Sequence, residues 1–324
     1  MRGRGRVEPC MKAALALAAL IAAAPSLAAP VCDGILPDPK RGRDIPVRVR
    51  MPDGRAGKAP VILFSHGLGG SVEAGTAFAK AWAKAGFLVI HVQHPGSDTG
   101  VWKGSGNPKQ ALTGAANGRQ LMARVADMGR ATDAVQAGTR VGACNLATGD
   151  IARLGAAGHS FGAHTVLALA GQSFGPMGAR GRDPRIRAVA ALSPIAPRND
   201  AAKAPAAFGG IAIPVLAATG SEDGSPFANG KSLDEITAAR AAVFTALPPS
   251  RTGKASVGLW LEGADHGAFS GGGGRAGGSP NAHATAVVSA ATTSFFTANL
   301  GGNGRPDLAA ARSLLAPGDR LSQR

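Results

Sequence analysis

The sequence predicts an α/β fold, a mostly parallel twisted sheet with helices on both faces. Three observations point to it. Short apolar β-rich runs alternate with helical patterns along the chain, the signature of βαβ units. Several of the runs are continuously apolar, as strands buried on both faces must be. The chain of 324 residues is 45% hydrophobic and only 17% charged, enough for one large core and too apolar for wholesale disorder. Tyrosine is absent and aromatic residues make up 4%, so that core is built from Ala, Val, Leu and Ile.

Arg43 to Met51 alternates and reads as an early, partly exposed strand. Pro60 to Ser65 is a central strand, Val72 to Lys84 a helix, and Phe87 to Val92 the next strand. Gly96 to Gly118 is glycine-rich and polar, and reads as a loop or small lid. An amphipathic helix follows over Arg119 to Ala137. Ile151 to Ala157 is a strand that runs straight into a helix over Phe161 to Gly171. Further strands fall at Ile186 to Leu192, Ile211 to Ala218 and Ser256 to Leu261, with helices at Asp234 to Leu247 and His283 to Asn299. Gly-rich residues Ser270 to Ser279 link the last pair, and the tail after Gly301 reads as a short surface helix. No repeat or linker divides the chain, so residues 29–324 are expected to form a single catalytic domain.

The N-terminus reads as an export signal. Arg2, Arg4, Arg6 and Lys12 precede an apolar run from Ala13 to Ala24, followed by small residues and a cleavage point after Ala28. The run is short of the ~20 residues a membrane span needs. A buried alanine-rich helix is the alternative, and Met11 is a second candidate start. Pro30 and Val31 before Cys32 do not make a lipid-attachment site, so no stable membrane anchor is expected. The expected location is periplasmic or secreted.

The formal charge is +15. Removing residues 1–28 takes away four basic residues and Glu8, leaving 31 basic against 19 acidic residues. The basic residues are dispersed and form no nucleic-acid motif, so a solvated basic surface is expected and nucleic acid is not. Once residues 1–28 are removed, Cys32 and Cys144 remain; in an oxidising compartment they either pair or stay as buried thiols. No His/Cys/Asp spacing suggests a metal, and no cofactor is expected.

Gly158-His159-Ser160-Phe161-Gly162 fits Gly-x-Ser-x-Gly, the sharp strand-to-helix turn that lifts a nucleophilic serine above a sheet. A chain with 47 glycines can produce the pattern by accident. Its context decides: an apolar strand precedes it and an apolar helix follows. Such a serine needs N–H donors for the oxyanion. Phe161 supplies one, and Leu68, in the turn Ser65-His66-Gly67-Leu68-Gly69-Gly70, is expected to supply the other. A phosphate cradle is the alternative for that turn, but no Gly-Lys-Ser/Thr sequence accompanies it. In the α/β-hydrolase fold the acid and then the histidine follow the serine. His266 stands in a loop after the last strand and is preferred to His283. Asp223 is preferred as acid, with Glu222 as the alternative. His66 and His159 are expected to shape the site without titrating, and His91 and His94 to support a loop.

RGRDIPVRVRMPDG, SHGLGG, HPGSD, GHSFG, TGSEDGSP and GADHGAFSG occur in that order between Arg41 and Gly271. Together they resemble the bacterial dienelactone-hydrolase-like serine esterases akin to plasma platelet-activating-factor acetylhydrolase, over roughly Asp38 to Ala298. The resemblance implies an α/β-hydrolase sheet of about seven or eight strands, a nucleophile at Ser160, oxyanion donors at Leu68 and Phe161, and Asp223 and His266 as partners. True dienelactone hydrolases use cysteine, so the serine argues against a dienelactone substrate. The activity implied is hydrolysis of small or medium acyl esters. A polyester, cutinase-type or lipase activity is the alternative among enzymes, and a non-catalytic binding protein on the same fold is the alternative of another class.

Overall fold

The computed structural model describes residues 29–54, 57–225, 227–228, 230–249, 254–272 and 281–324, with Met1 and Gly3. The expected export signal and most of the Gly-rich stretch 270–279 therefore lie outside the described residues. In chain order, β1 is Val31–Asp38, β2 Arg43–Arg50, β3 Ala59–Ser65, α1 Thr76–Lys84, β4 Leu88–Val92, α2 Pro108–Ala115 and α3 Gly118–Gln136. A small hairpin of β5 (Arg140–Val141) and β6 (Cys144–Asn145) precedes β7 (Gly149–His159), α4 (Phe161–Ala170) and β8 (Ile186–Leu192). Then come α5 (Ala204–Phe208), β9 (Val215–Glu222), α6 (Leu233–Ala246), β10 (Val257–Asp265), α7 (Ala282–Leu300), α8 (Ala309–Arg312) and β11 (Arg320–Gln323).

Nine strands form one sheet in the order β1-β2-β4-β3-β7-β8-β9-β10-β11. The interior from β4 to β10 is parallel, while β1, β2 and β11 pair antiparallel at the two ends. This is the α/β-hydrolase architecture, one or two strands wider than the seven or eight expected. The additions are β1 and β11. β1 (VCDGILPD) carries Gly34, Pro37 and two aspartates, and its exposed Val31 and Ile35 hide the alternation. β11 is four residues long and follows the expected tail helix. The strand expected at Ile211 begins only at Val215, past Pro214, whose ring leaves no N–H for the ladder. The expected loop 96–118 contains α2, with Pro108 at its first turn and Asn107 capping it.

Apolar residues fill both faces of the sheet. Alternate residues of β3 divide between them, Val61 and Leu63 to one side and Ile62 and Phe64 to the other. The first side is covered by α3, α4, α5 and α6, the second by α1, α7 and α8. Trp82 of α1 packs edge-on against Phe296 of α7 and donates its indole N–H to Thr292 Oγ1 at 3.0 Å. Ser232 opens α6 with a reciprocal cap to Glu235. Among the described residues no helix is long and apolar enough to cross a membrane.

Cys32 and Cys144 are joined in a disulfide that ties β1 to the β5–β6 hairpin across 112 residues of sequence. Closing so long a loop restricts the unfolded chain. Replacing both cysteines with alanine should therefore lower stability by roughly 2–4 kcal/mol, measured as a lower urea midpoint in non-reducing buffer. An unchanged midpoint would show that the edge strand does not depend on the bridge.

Candidate active site

The carboxyl ends of β3, β7, β8, β9 and β10 converge on one cavity. β3 and β7 run side by side, with Ser65 opposite Gly158. Immediately beyond, Ser160 takes φ 56° and ψ −114°, a strained conformation for a non-glycine residue. The flanking glycines are there for want of space. A Cβ on Gly158 would lie 2.3 Å from the Gly162 carbonyl oxygen, and one on Gly162 would lie 1.9 Å from that of Ser65. The turn is thus pressed against the end of β3, and Ser160 is lifted over α4. Its N–H donates to the Leu192 carbonyl at 2.9 Å, fastening the turn to β8.

His266 follows β10, and its Nε2 lies 2.9 Å from Ser160 Oγ. Its Nδ1 lies 2.8 Å from Asp223 Oδ1. It is Asp223 that reaches the imidazole; Glu222, at the end of β9, is exposed. The Asp223 carboxylate is fully buried and also accepts from Ser193 Oγ at 2.9 Å and Thr219 Oγ1 at 2.8 Å. Burial raises its pKa, but the His266 hydrogen bond and the Arg240 charge outweigh burial and hold it below the usual carboxylate range. His283, the alternative histidine, pairs instead with Asp319 at 2.8 Å.

The second turn lies beside the first. Gly67 is so close that a Cβ there would meet Ser160 Cβ at 3.5 Å. The Ser65–Gly70 turn is stitched to the following segment by Gly69 N–H to the Ser97 carbonyl and Thr99 N–H to the Gly70 carbonyl, both 2.9 Å. Trp102 adds its indole N–H to the Gly69 carbonyl at 2.8 Å. Among the described residues neither the Leu68 nor the Phe161 N–H has an intrachain acceptor. Both residues line a cavity of about 250 Å³ with Ser160, His266, His164 and Ile195. Ala116 to Gly118, between α2 and α3, lie along the same cavity.

Four buried residues bracing these groups carry no sequence motif. Arg240 of α6 donates to the carbonyls of Asp223 (2.6 Å), Ser193 (2.8 Å) and Gly224 (2.7 Å), gripping the acid loop. Ser193 stands at φ 55°, with its Oγ 2.8 Å from His266 Nδ1. Arg124 and Asp127 of α3 lie behind the Ser65–Gly70 turn, where Asp127 meets His94 Nδ1 at 3.0 Å and His94 Nε2 meets Ser65 Oγ at 3.0 Å. Arg240, Arg124 and Asp127 sit mid-helix, remote in sequence from what they touch, and only their being charges in an otherwise apolar stripe marks them; Ser193 stands in the loop after β8 with nothing to mark it.

Five histidines in or behind the site are held neutral, chiefly by burial. His66 and His94 fall well below the ordinary value, with Arg124 adding to the effect. His91 and His164 fall to about 4, and His159, beside His266, to about 3. His159 Nε2–H donates to the His266 carbonyl at 2.9 Å, tying the two loops without a charge.

The nine-stranded fold and this site define an ester hydrolase of the α/β-hydrolase class. Residues 44–103, from β2 through the Leu68 turn, match the family model of platelet-activating factor acetylhydrolase, isoform II, a family of serine ester hydrolases. No curated protein gives a significant match to the chain.

The buried histidines set an acid limit on stability. Unfolded histidines bind protons near pH 6.5, whereas in the folded protein His91 and His164 do so only near 4, His159 near 3, and His66 and His94 well below the ordinary value, so between pH 4 and 6.5 the unfolded state holds more protons. Stability should rise with pH from 4 to 6.5, by up to about 1.4 kcal/mol per pH unit for each histidine, and level off above. Asp127, raised by burial, opposes this by at most one proton. Urea midpoints at pH 5.0, 6.5 and 8.0 check the sign; equal midpoints at 5.0 and 6.5 would refute it.

Proposed function

We propose that the protein is an exported carboxylic ester hydrolase working through an acyl-enzyme on Ser160, with substrates that are esters of small or medium acyl groups. The observation that carries this is the unbroken chain from Asp223 to His266 (2.8 Å) to Ser160 Oγ (2.9 Å), opening on a cavity. His266 Nε2 takes the Ser160 proton as Oγ attacks the ester carbonyl. The oxyanion then accepts the Leu68 and Phe161 N–H groups. As the intermediate collapses, His266 returns the proton to the leaving alcohol, and a water repeats the sequence to release the acid. Asp223 keeps the imidazole in the required tautomer and stabilises its cation.

Export rests on the basic-apolar N-terminal segment and on the disulfide, which persists in oxidising compartments. A polyester or lipase-type activity would need a longer acyl or polymer binding track. Ala116 to Gly118 line one side of the cavity, which favours the smaller substrates. A non-catalytic role would leave no reason for a strained serine in contact with a histidine that a buried carboxylate holds.

Purified protein lacking residues 1–28 should hydrolyse p-nitrophenyl acetate or butyrate and label with a fluorophosphonate at Ser160. Ser160→Ala should abolish both, and Asp223→Asn should lower kcat by about 10⁴-fold, as expected when the imidazole tautomer is no longer fixed. Undiminished turnover in Ser160→Ala would overturn the assignment. Failure of the folded wild-type protein to label would favour a binding role. An acyl series from acetate to laurate measures how far the cavity reaches.

A further inference from the structure

The guanidinium of Arg124 is completely buried, and among the described residues no carboxylate lies within ion-pair distance of it. A buried cation with no direct ion-pair partner is costly even with the charges of Asp127 and Asp98 favouring it from a distance, so it calls for an explanation beyond packing. Its contacts are with the Ser65–Gly70 turn, with Ser97 behind that turn, and with Phe161 just after the serine. Nη1 donates to the His66 carbonyl at 2.8 Å, Nη2 to the Gly67 carbonyl at 3.3 Å, and Nε to Ser97 Oγ at 2.9 Å. The plane of the guanidinium carbon lies over the Phe161 ring, 4.6 Å from its centre.

The Gly67 carbonyl is the point of convergence. His94 N–H donates to His66 Nε2 at 3.1 Å, which leaves the proton on Nδ1. That Nδ1–H donates to the Gly67 carbonyl at 2.6 Å, and Gly70 N–H does so at 3.1 Å. With Arg124, three donors meet one oxygen. The Gly67 carbonyl and the Leu68 N–H belong to a single planar peptide unit. Donors on the oxygen withdraw electron density through the amide and make the N–H a stronger donor. They also fix the direction in which it points. The second N–H is held through its own side chain, since Phe161 is clamped by the same guanidinium.

We propose that Arg124 is the positioning residue of the oxyanion hole, orienting and polarising the Leu68 peptide through the Gly67 carbonyl while anchoring Phe161 through its ring. This rests on the reading of Leu68 and Phe161 as the oxyanion donors. A lysine cannot reproduce the role in full, because one ammonium cannot span two carbonyls, a hydroxyl and a ring face together.

The test is steady-state kinetics on p-nitrophenyl acetate for Arg124→Gln, Arg124→Lys and Ser97→Ala. It is paired with inhibition by an alkylboronic acid, whose adduct on Ser160 carries the tetrahedral charge. Arg124→Gln should lower kcat by about 10–100-fold, the usual effect of removing a supporting shell, with KM changed less than about threefold because the ground state barely uses the hole. Boronate affinity should weaken by the same factor as kcat/KM. Arg124→Lys should recover part of the loss. If Arg124→Gln does not fold, Ser97→Ala, which frees Nε and gives up a 3.3 Å bond to the His94 carbonyl, should still lower kcat and boronate affinity together by several-fold. Wild-type kcat and boronate affinity in both Arg124→Lys and Ser97→Ala would overturn the proposal. So would a fall in thermal stability with unchanged kinetics per fluorophosphonate-titrated site. An inactive wild-type protein would instead count against Ser160 as nucleophile, so the two failures are told apart.

Discussion

The contact on which this site depends is backbone against backbone, Gly162 against the carbonyl of Ser65. It exists because β3 and β7 are parallel neighbours whose last residues stand level, so the two turns leaving them must cross at van der Waals distance. A side chain at Gly162 would separate the turns, and the N–H groups of Leu68 and Phe161 would no longer face the same space. Hydrogen bonds throughout the site then serve to keep that crossing in register. Ser160 is held to β8 by its N–H, the Leu68 turn to residues 97–102, and His266 to the serine turn through His159.

Two buried arginines divide the remaining work. Arg240 gathers three carbonyls around Asp223, and Arg124 two carbonyls and a ring around the opposite turn. Each converts a flexible loop into a fixed one, and each adds positive potential on the side where negative charge resides or develops. The neutral histidines between them are the electrostatic counterpart: with the two cations already buried, further charge there would meet repulsion.

The sequence carried the fold class, and it singled out the five residues proposed as the site, because both readings depend on local chemistry. A serine between glycines, a strand before it and a helix after it are legible within fifteen residues. The order of Asp223 and His266 behind it follows from strand order. Arg124, Asp127, Ser193 and Arg240 were not legible, because what each does is decided by a partner 30 to 58 residues away, or by a loop brought near only in the folded chain. Asp223 against Glu222 stayed open for the same reason, since which carboxylate turns inward is a matter of the bend after β9. The outermost strands were hidden differently: β1 mixes turn-forming residues into its pattern and β11 is too short to have one.

The rim formed by Ala116 to Gly118 has a consequence for how such a protein changes over generations. The proposed nucleophile, acid and base stand at the ends of sheet strands, whereas this wall of the cavity comes from a helical excursion beyond Trp102, the last residue of the segment bonded to the Ser65–Gly70 turn. Selectivity and reactivity are therefore inherited on different stretches of chain. The excursion from residue 103 to 118 can be lengthened, shortened or exchanged while the strands keep their register. A lineage built on this plan can acquire new substrates without having to rebuild its chemistry.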